Sequence, residues 1–182
     1  DYYSSMFLPD FLFNSFAGAK LPDGNELVLN TIEIDSNNVQ STRNLFSPLN
    51  VFLFLLIITL IITFREFKYE LRYKFFDLLL FTITGLVGFL ILYLWFFTDH
   101  LSSNNYNIIW ATPLNFIIPF IINSTRFKKA LHYYMLYYSS SLIVLLILWD
   151  LLPQEFNDSL IIIILILIIR SFALFIKNLK LK

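Results

Sequence analysis

The residues best suited to polar chemistry cluster between two long apolar runs. Asp99 and His100 are adjacent, and Asn105, Asn107 and Trp110 follow closely. A histidine beside a carboxylate can change charge near neutral pH, and the two amides both donate and accept hydrogen bonds. This set suits binding of a polar headgroup or an acyl carbonyl. The alternative is a polar turn in which Trp110 anchors a helix end at a membrane surface.

A second candidate consists of two ionisable residues inside apolar runs, Asp77 and Arg170. Charged groups in membrane segments are costly, so they face the bundle interior and pair. Arg170 lies roughly 10 Å inward from Lys177 at about 1.5 Å per residue, a depth similar to that of Asp77. The pattern predicts a structural Asp77–Arg170 ion pair. The alternative is that Arg170 extends to the nearest headgroups without Asp77.

Other chemistries find little support. The chain has no cysteine, which excludes disulfides, thiolate metal sites and a cysteine nucleophile among these residues. No zinc spacing, phosphate-binding loop or serine-hydrolase elbow is present. The basic residues form short clusters rather than a continuous face, which argues against nucleic-acid binding. We therefore expect no metal site, no cofactor and no nucleic-acid partner.

The elements that hold these residues are predicted to be membrane-spanning helices. The 182-residue chain is 58% hydrophobic and 14% charged, whereas soluble domains carry about 25% charged residues. A span takes about 20 apolar residues, with about 17 the lower limit. Five runs are assigned as spans, at about residues 48–64, 75–97, 108–123, 130–152 and 159–176. The third is the weakest, since Pro113, Asn115 and Pro119 interrupt it, but the charge pattern requires a crossing there.

The distribution of positive charge predicts the orientation. The connections at 65–74 and 126–129 and the C-terminal tail are basic, whereas 98–107 and 153–158 contain no Lys or Arg. Basic loops stay in the cytoplasm. The fold expected is therefore an all-α five-helix membrane bundle with its N-terminus outside and its C-terminus inside.

Residues 1–44 resemble ordinary globular sequence. Pro9 fits the first turn of a short helix, Pro22–Asn25 is a turn signal, and Val28–Ile34 is β-rich. These pieces are too short to form a core. We interpret residues 1–44 as an α+β remnant at the end of an extracytoplasmic domain, followed by a linker, and residues 45–182 as the transmembrane domain.

The segment at 96–114 resembles the membrane region of Lnb-type lipoprotein N-acyltransferases. The resemblance rests on Phe96-Phe97-Thr98-Asp99-His100, Asn105-Tyr106-Asn107-Ile108-Ile109-Trp110 and Pro113-Leu114. In addition, Phe76-Asp77 with Gly85 and Gly88 is similar to that family's second span. Phe7-Leu8-Pro9-Asp10 is similar to the end of its extracytoplasmic DUF4105 domain. The resemblance implies five spans in a bacterial cytoplasmic membrane.

The resemblance also implies a function, acyl transfer onto the N-terminal cysteine of a lipoprotein at the outer face of that membrane. The donor would be the lipoprotein's own diacylglyceryl group. The family's catalytic residues, expected to include a cysteine and a histidine, should lie in the extracytoplasmic domain, so no catalytic residue is expected in this chain. Asp99, His100, Asn105, Asn107 and Trp110 would face that domain and position lipid headgroups or acyl carbonyls. Membrane lipids, lipoproteins and other envelope proteins are the partners expected.

Two other interpretations stay open. A related bundle could be a non-enzymatic anchor in a larger envelope complex, which constant co-purification with that complex would favour. An upstream cysteine and histidine would favour the enzyme. A transporter would need charged or broken-helix sites near the midplane, for which Arg170 and the interrupted third run are the only support.

Overall fold

The computed structural model describes residues 9–28, 30, 32, 46–98 and 105–180. The chain divides into two compact units, Asp1–Thr42 and Arg43–Lys182. The helices are α1 (Pro9–Ala17), α2 (Pro48–Lys68), α3 (Lys74–Phe97), α4 (Ile118–Ile121), α5 (Lys128–Ile147) and α6 (Ser159–Lys180), with 3-10 turns at Tyr106–Ile108, Pro113–Ile117 and Trp149–Leu151.

The first unit contains α1 and a tight turn. The side chain of Asp23 accepts a hydrogen bond from the backbone N–H of Asn25 at 3.1 Å, and Gly24 adopts a φ of 87° that favours glycine. Around this turn, Lys20 and Glu26 form one isolated antiparallel bridge. This bridge lies before the predicted β-rich stretch Val28–Ile34, of which residues 29, 31, 33 and 34 lie outside the described residues. The described residues of the β-rich stretch, numbers 28, 30 and 32, are not in a strand.

The second unit confirms the prediction of an all-helical, five-span membrane domain. Four of its helices, α2, α3, α5 and α6, are long and apolar enough to cross a membrane. Ser47 caps α2 by accepting a hydrogen bond from the N–H of Asn50 at 3.3 Å, and Pro48 occupies the first turn. Helix α2 extends past the predicted boundary at residue 64 to Lys68, while α5 ends at Ile147 rather than 152.

The third span, Tyr106–Ile121, is not the continuous helix that was expected. It consists of short 3-10 turns and the four-residue helix α4, because Pro113 and Pro119 lack the N–H groups that a regular helix requires. The segment still runs the length of the bundle. At one end Arg72 Nη2 donates to the carbonyl of Ile122 at 2.9 Å, and at the other the N–H of Tyr106 donates to Gln154 Oε1 at 2.7 Å.

Two glycines of α3 allow the third span to lie directly against that helix. A Cβ atom on Gly88 would overlap the carbonyl oxygen of Ala111 and lie 2.6 Å from the nitrogen of Pro113. A Cβ on Gly85 would lie 2.7 Å from the Cα of Phe116. Small residues commonly permit such backbone approach in membranes. On the side that faces α3, protein thereby covers the irregular backbone, which a bilayer could not hydrogen-bond.

The remaining contacts give the bundle its spatial order. Helix α6 packs against α2 and α5, whereas the third span packs against α3 and α5. The order across the bundle is therefore α2, α6, α5, third span, α3. Although α2 and α3 are consecutive in the chain, the main neighbour of α2 is α6 and the main neighbour of α3 is the third span. Helix α6 is the most buried of the four long helices, and its Ile164, Ile166 and Leu167 are fully buried.

The two ends of the bundle differ in charge. We call the end that holds the connections 69–73 and 122–127 the basic end, because Arg72, Arg126 and Lys177 lie there. We call the other the acidic end, because its 148–158 connection carries Asp150, Glu155 and Asp158 and no Lys or Arg. The predicted orientation places the basic end in the cytoplasm.

Substitution of Gly88 by alanine tests the contact between α3 and the third span. We expect Gly88→Ala to lower the free energy of unfolding by about 1–3 kcal/mol, because the new methyl group meets backbone atoms that cannot rotate away. This loss opposes the better helix propensity of alanine. Thermal unfolding of the purified protein in detergent measures the effect. Leu86→Ala, at a 52% exposed position of the same helix, is the matched control. Equal stability of the two variants would contradict the close approach.

Candidate functional site

The amide-rich turn predicted from the sequence forms one hydrogen-bonded unit at the acidic end. Asn105 Oδ1 accepts from the backbone N–H of Asn107 at 3.0 Å and from its side-chain Nδ2 at 2.8 Å. Asn107 Oδ1 in turn accepts from Trp110 Nε1 at 2.7 Å. The structure therefore brings together three of the five motif residues. The other two, Asp99 and His100, lie outside the described residues.

A residue that the sequence analysis did not single out, Gln154, joins this turn to the connection after α5. Its Oε1 accepts from the N–H of Tyr106 at 2.7 Å, and its Nε2 donates to Asn105 Oδ1 at 3.3 Å. No sequence signal distinguished Gln154, because the same connection also contains Asn157. Asn105, Asn107, Trp110 and Gln154, which we call the amide cluster, are partly buried. They hold the start of the third span against the α5–α6 connection.

A second polar network lies inside the bundle around Asn115, which is fully buried. Its side-chain nitrogen donates to Tyr138 Oη at 2.9 Å and to Thr84 Oγ1 at 3.2 Å, while its oxygen accepts from Tyr134 Oη at 2.7 Å. Tyr138 Oη donates to the carbonyl of Trp110 at 2.5 Å. The network links α3, the third span and α5. It gives the carbonyl of Trp110, in the irregular segment, a hydrogen-bond donor that the membrane interior cannot supply.

The basic end contains a buried cluster of charges centred on Arg170. The guanidinium of Arg170, fully buried, donates from Nε to Asp77 Oδ1 at 2.7 Å and from Nη2 to Asp77 Oδ2 at 2.9 Å. Its Nη1 donates to Thr63 Oγ1 at 2.9 Å. The paired donors match the two carboxylate oxygens, a geometry that strengthens arginine–carboxylate contacts. One side chain of α6 thus connects α3 and α2.

Glu66, a further member of this cluster, was missed by the sequence analysis. Its Oε2 lies 3.1 Å from Arg170 Nη2 and 3.2 Å from Lys177 Nζ. Its Oε1 accepts from the N–H of Tyr73 at 2.6 Å. The predicted end of α2 at residue 64 placed Glu66 in an exposed loop. The helix instead continues to Lys68, which puts Glu66 on the same face as Thr63, three residues earlier.

The charges of this cluster balance, because two carboxylates, Asp77 and Glu66, meet two cations, Arg170 and Lys177. A buried set of this kind contributes little net stability, but removal of one member leaves an uncompensated charge. We therefore regard it as a clamp between helices rather than a binding site. No group of three potential metal ligands occurs among the described residues.

Five helical crossings, with a broken third member held by polar networks, define a multi-pass helical membrane domain. A family model described as the Lnb transmembrane domain matches residues 40–182. The chain belongs to this family, which confirms the resemblance of its membrane region, whereas the similarity of Phe7-Leu8-Pro9-Asp10 to a DUF4105 domain stays a prediction. The match covers the five crossings and does not include residues 1–39. No curated protein and no solved structure matches the chain.

Charge removal tests the clamp. We expect Asp77→Leu to lower the free energy of unfolding by about 3–5 kcal/mol, because Arg170 then stays buried with surplus positive charge. The double variant Asp77→Leu/Arg170→Met should regain much of this loss, since Glu66 and Lys177 still balance. Unfolding in detergent measures both variants. Glu155→Leu, at an exposed position of the acidic end, is the control. Additive losses in the double variant would mean that the two residues act independently.

Proposed function

We propose that the chain is the membrane domain of a lipoprotein N-acyltransferase-like protein. It would support acyl transfer to the N-terminal cysteine of a lipoprotein at the outer face of the bacterial cytoplasmic membrane. The observation that carries the proposal is an apolar groove whose lining residues Ile109 and Leu152 lie two residues from Asn107 and Gln154, in a member of the Lnb transmembrane domain family. The charge rule that predicts an outer location for the acidic end supports it.

The groove runs along α5 near the acidic end and has a volume of about 470 Å³. Its walls are formed by Tyr137, Ser140, Ser141, Val144, Leu145 and Leu148 of α5 and its C-terminus, together with Ile109 and Leu152. In the sequence, Ile109 lies two residues after Asn107, and Leu152 lies two residues before Gln154; both amides belong to the amide cluster. An acyl chain in this groove would therefore have its ester group near the amides.

The chemistry of the amide cluster suits such an ester. The Oδ1 atoms of Asn105 and Asn107 and the Oε1 atom of Gln154 all accept hydrogen bonds within the protein. Each side-chain amide also carries two N–H donors, more than these internal contacts use. An ester carbonyl and a phosphate are acceptors, so surplus donors are the complementary groups. Asp99 and His100 are proposed to complete this surface.

The proposed reaction moves an acyl group from an ester oxygen to an amine. The amine forms a bond with the carbonyl carbon and loses a proton, while the ester C–O bond breaks and the leaving oxygen takes up a proton. This chain contains no cysteine nucleophile, so its proposed part is to hold the acyl chain and the ester at the membrane surface. The catalytic groups would belong to an extracytoplasmic domain.

A non-enzymatic anchor is the second candidate. The observation in its favour is that the polar groups around Asn115 and Arg170 largely satisfy one another inside the bundle, as in a rigid support. Purification of the complete protein at a constant ratio to one envelope complex, together with unchanged lipoprotein acylation in the deletion strain, would favour the anchor.

Gene deletion tests the enzymatic proposal. We expect deletion of the complete gene to leave lipoprotein N-terminal peptides with a free α-amine and both acyl chains on the glyceryl group. The total mass should not change, because transfer from the lipoprotein's own diacylglyceryl group only moves one chain. Tandem mass spectrometry, which locates the acyl chains, and labelling of free amines measure the difference. Re-expression should restore the N-linked chain, whereas His100→Ala should restore it only partly at an equal protein level in the membrane. Full N-acylation in the deletion strain, with no redundant enzyme, would overturn the proposal.

A bulky substitution tests the groove itself. We expect Val144→Trp to lower the rate of N-acylation at least severalfold, because the indole fills space that the acyl chain needs. Ile147→Trp is the matched control, since this 73% exposed residue lies on the same helix and does not line the groove. The rate is followed in membranes by tandem mass spectrometry of N-terminal peptides, which locates the acyl chains. Equal rates in both variants would reject the groove and leave the deletion result standing.

A further inference from the structure

A second groove lies between α2 and α3 at the basic end. It exists because α2 packs mainly against α6 and α3 packs mainly against the third span. Its volume is about 590 Å³. The lining consists of Ile62 of α2, Arg72 and Tyr73 of the connection, and Lys74, Phe75, Phe76 and Leu79 of α3. The groove thus combines apolar walls with two cationic side chains at one end.

The charge of the groove is not cancelled by nearby carboxylates. Its two charged lining residues, Arg72 and Lys74, are both cations. Asp77 interacts electrostatically with Arg72, but both of its carboxylate oxygens are bound by Arg170. Glu66 is bound by Arg170, Lys177 and the N–H of Tyr73. Glu70, in the same connection, is exposed and does not line the groove. The site therefore presents a net positive charge to a ligand.

Arg72 is placed to bind an anion. Its Nη2 is held by the carbonyl of Ile122 at 2.9 Å. Its Nε is buried and has no hydrogen-bond partner among the described residues. A buried donor without a partner is energetically costly, and arginine donors match the oxygens of phosphate. A phosphate group at this position would supply the missing acceptor.

We propose that this groove binds one anionic phospholipid of the leaflet at the basic end, with its phosphate between Arg72 and Lys74. An acyl chain would lie along Ile62, Phe75 and Leu79. Basic pockets between helices at the cytoplasmic surface are known to take anionic headgroups, and the basic loops predict a cytoplasmic location for this end. The proposal does not depend on acyl transfer, because it concerns the other end of the bundle.

Native mass spectrometry of the full-length protein, released from nanodiscs of mixed phosphatidylglycerol and phosphatidylcholine, tests this site. We expect the wild-type protein to retain one phosphatidylglycerol in preference to phosphatidylcholine. Arg72→Gln/Lys74→Gln should weaken that preference roughly 30-fold, at about fivefold for each basic residue near an anionic headgroup. Arg126→Gln/Lys129→Gln removes the same charge from exposed positions of the other basic loop and should keep the preference.

The single variant Lys74→Gln separates lipid binding from folding, because Arg72→Gln also removes the hydrogen bond to Ile122. Lys74 is exposed, so we expect an unchanged unfolding temperature in detergent and an approximately fivefold weaker preference. An unchanged preference in Lys74→Gln would overturn the proposal. So would equal losses in the groove and control double variants, which would indicate diffuse attraction. Equal retention of both lipids by the wild-type protein would also overturn the proposal, because the groove would then bind acyl chains without recognising the headgroup.

Discussion

A backbone interrupted by proline inside a membrane must find its hydrogen-bond partners within the protein, and most of this bundle is arranged around that requirement. The third span has two such prolines. Gly88 brings α3 close enough to cover its backbone, Tyr138 bonds the carbonyl of Trp110, and Arg72 bonds that of Ile122. The neighbours of the third span, α3 and α5, are therefore determined largely by the groups that it leaves open.

The polar groups at the two ends of the bundle also differ in how they are paired. At the basic end, charges are buried and balanced around Arg170, which fixes α2 and α3 to α6. At the acidic end, the amides of Asn105 and Gln154 hold a turn together and retain donors in excess. The balanced charges around Arg170 suit a support. The unspent donors of the amides, like the unpartnered Nε of Arg72 at the basic end, suit a surface that receives a ligand. Because the amides lie close in sequence to the lining of an apolar groove near the acidic end, we place the proposed acyl transfer there.

The sequence was sufficient for features that depend on local pattern. Long apolar runs predicted the four continuous helices, and Ser47-Pro48 predicted the start of α2. The distance along each run predicted that Asp77 and Arg170 lie at a similar depth, and the two side chains are in contact. The path of the third span could not be predicted, because it depends on backbone approach at Gly88 and on distant tyrosines. Glu66 was missed because a helix end was placed one turn too early, and Gln154 because its partners are remote in sequence.

The position of Arg170 also bears on biogenesis. Asp77 precedes its partner by 93 residues, which takes a ribosome roughly 5–20 s to add at about 5–20 residues per second. During that interval α2 and α3 carry carboxylates whose main counterion has not yet been made. The nascent bundle cannot reach its final arrangement until α6 enters the membrane. The clamp between α2, α3 and α6 can therefore close only at the last stage of membrane assembly.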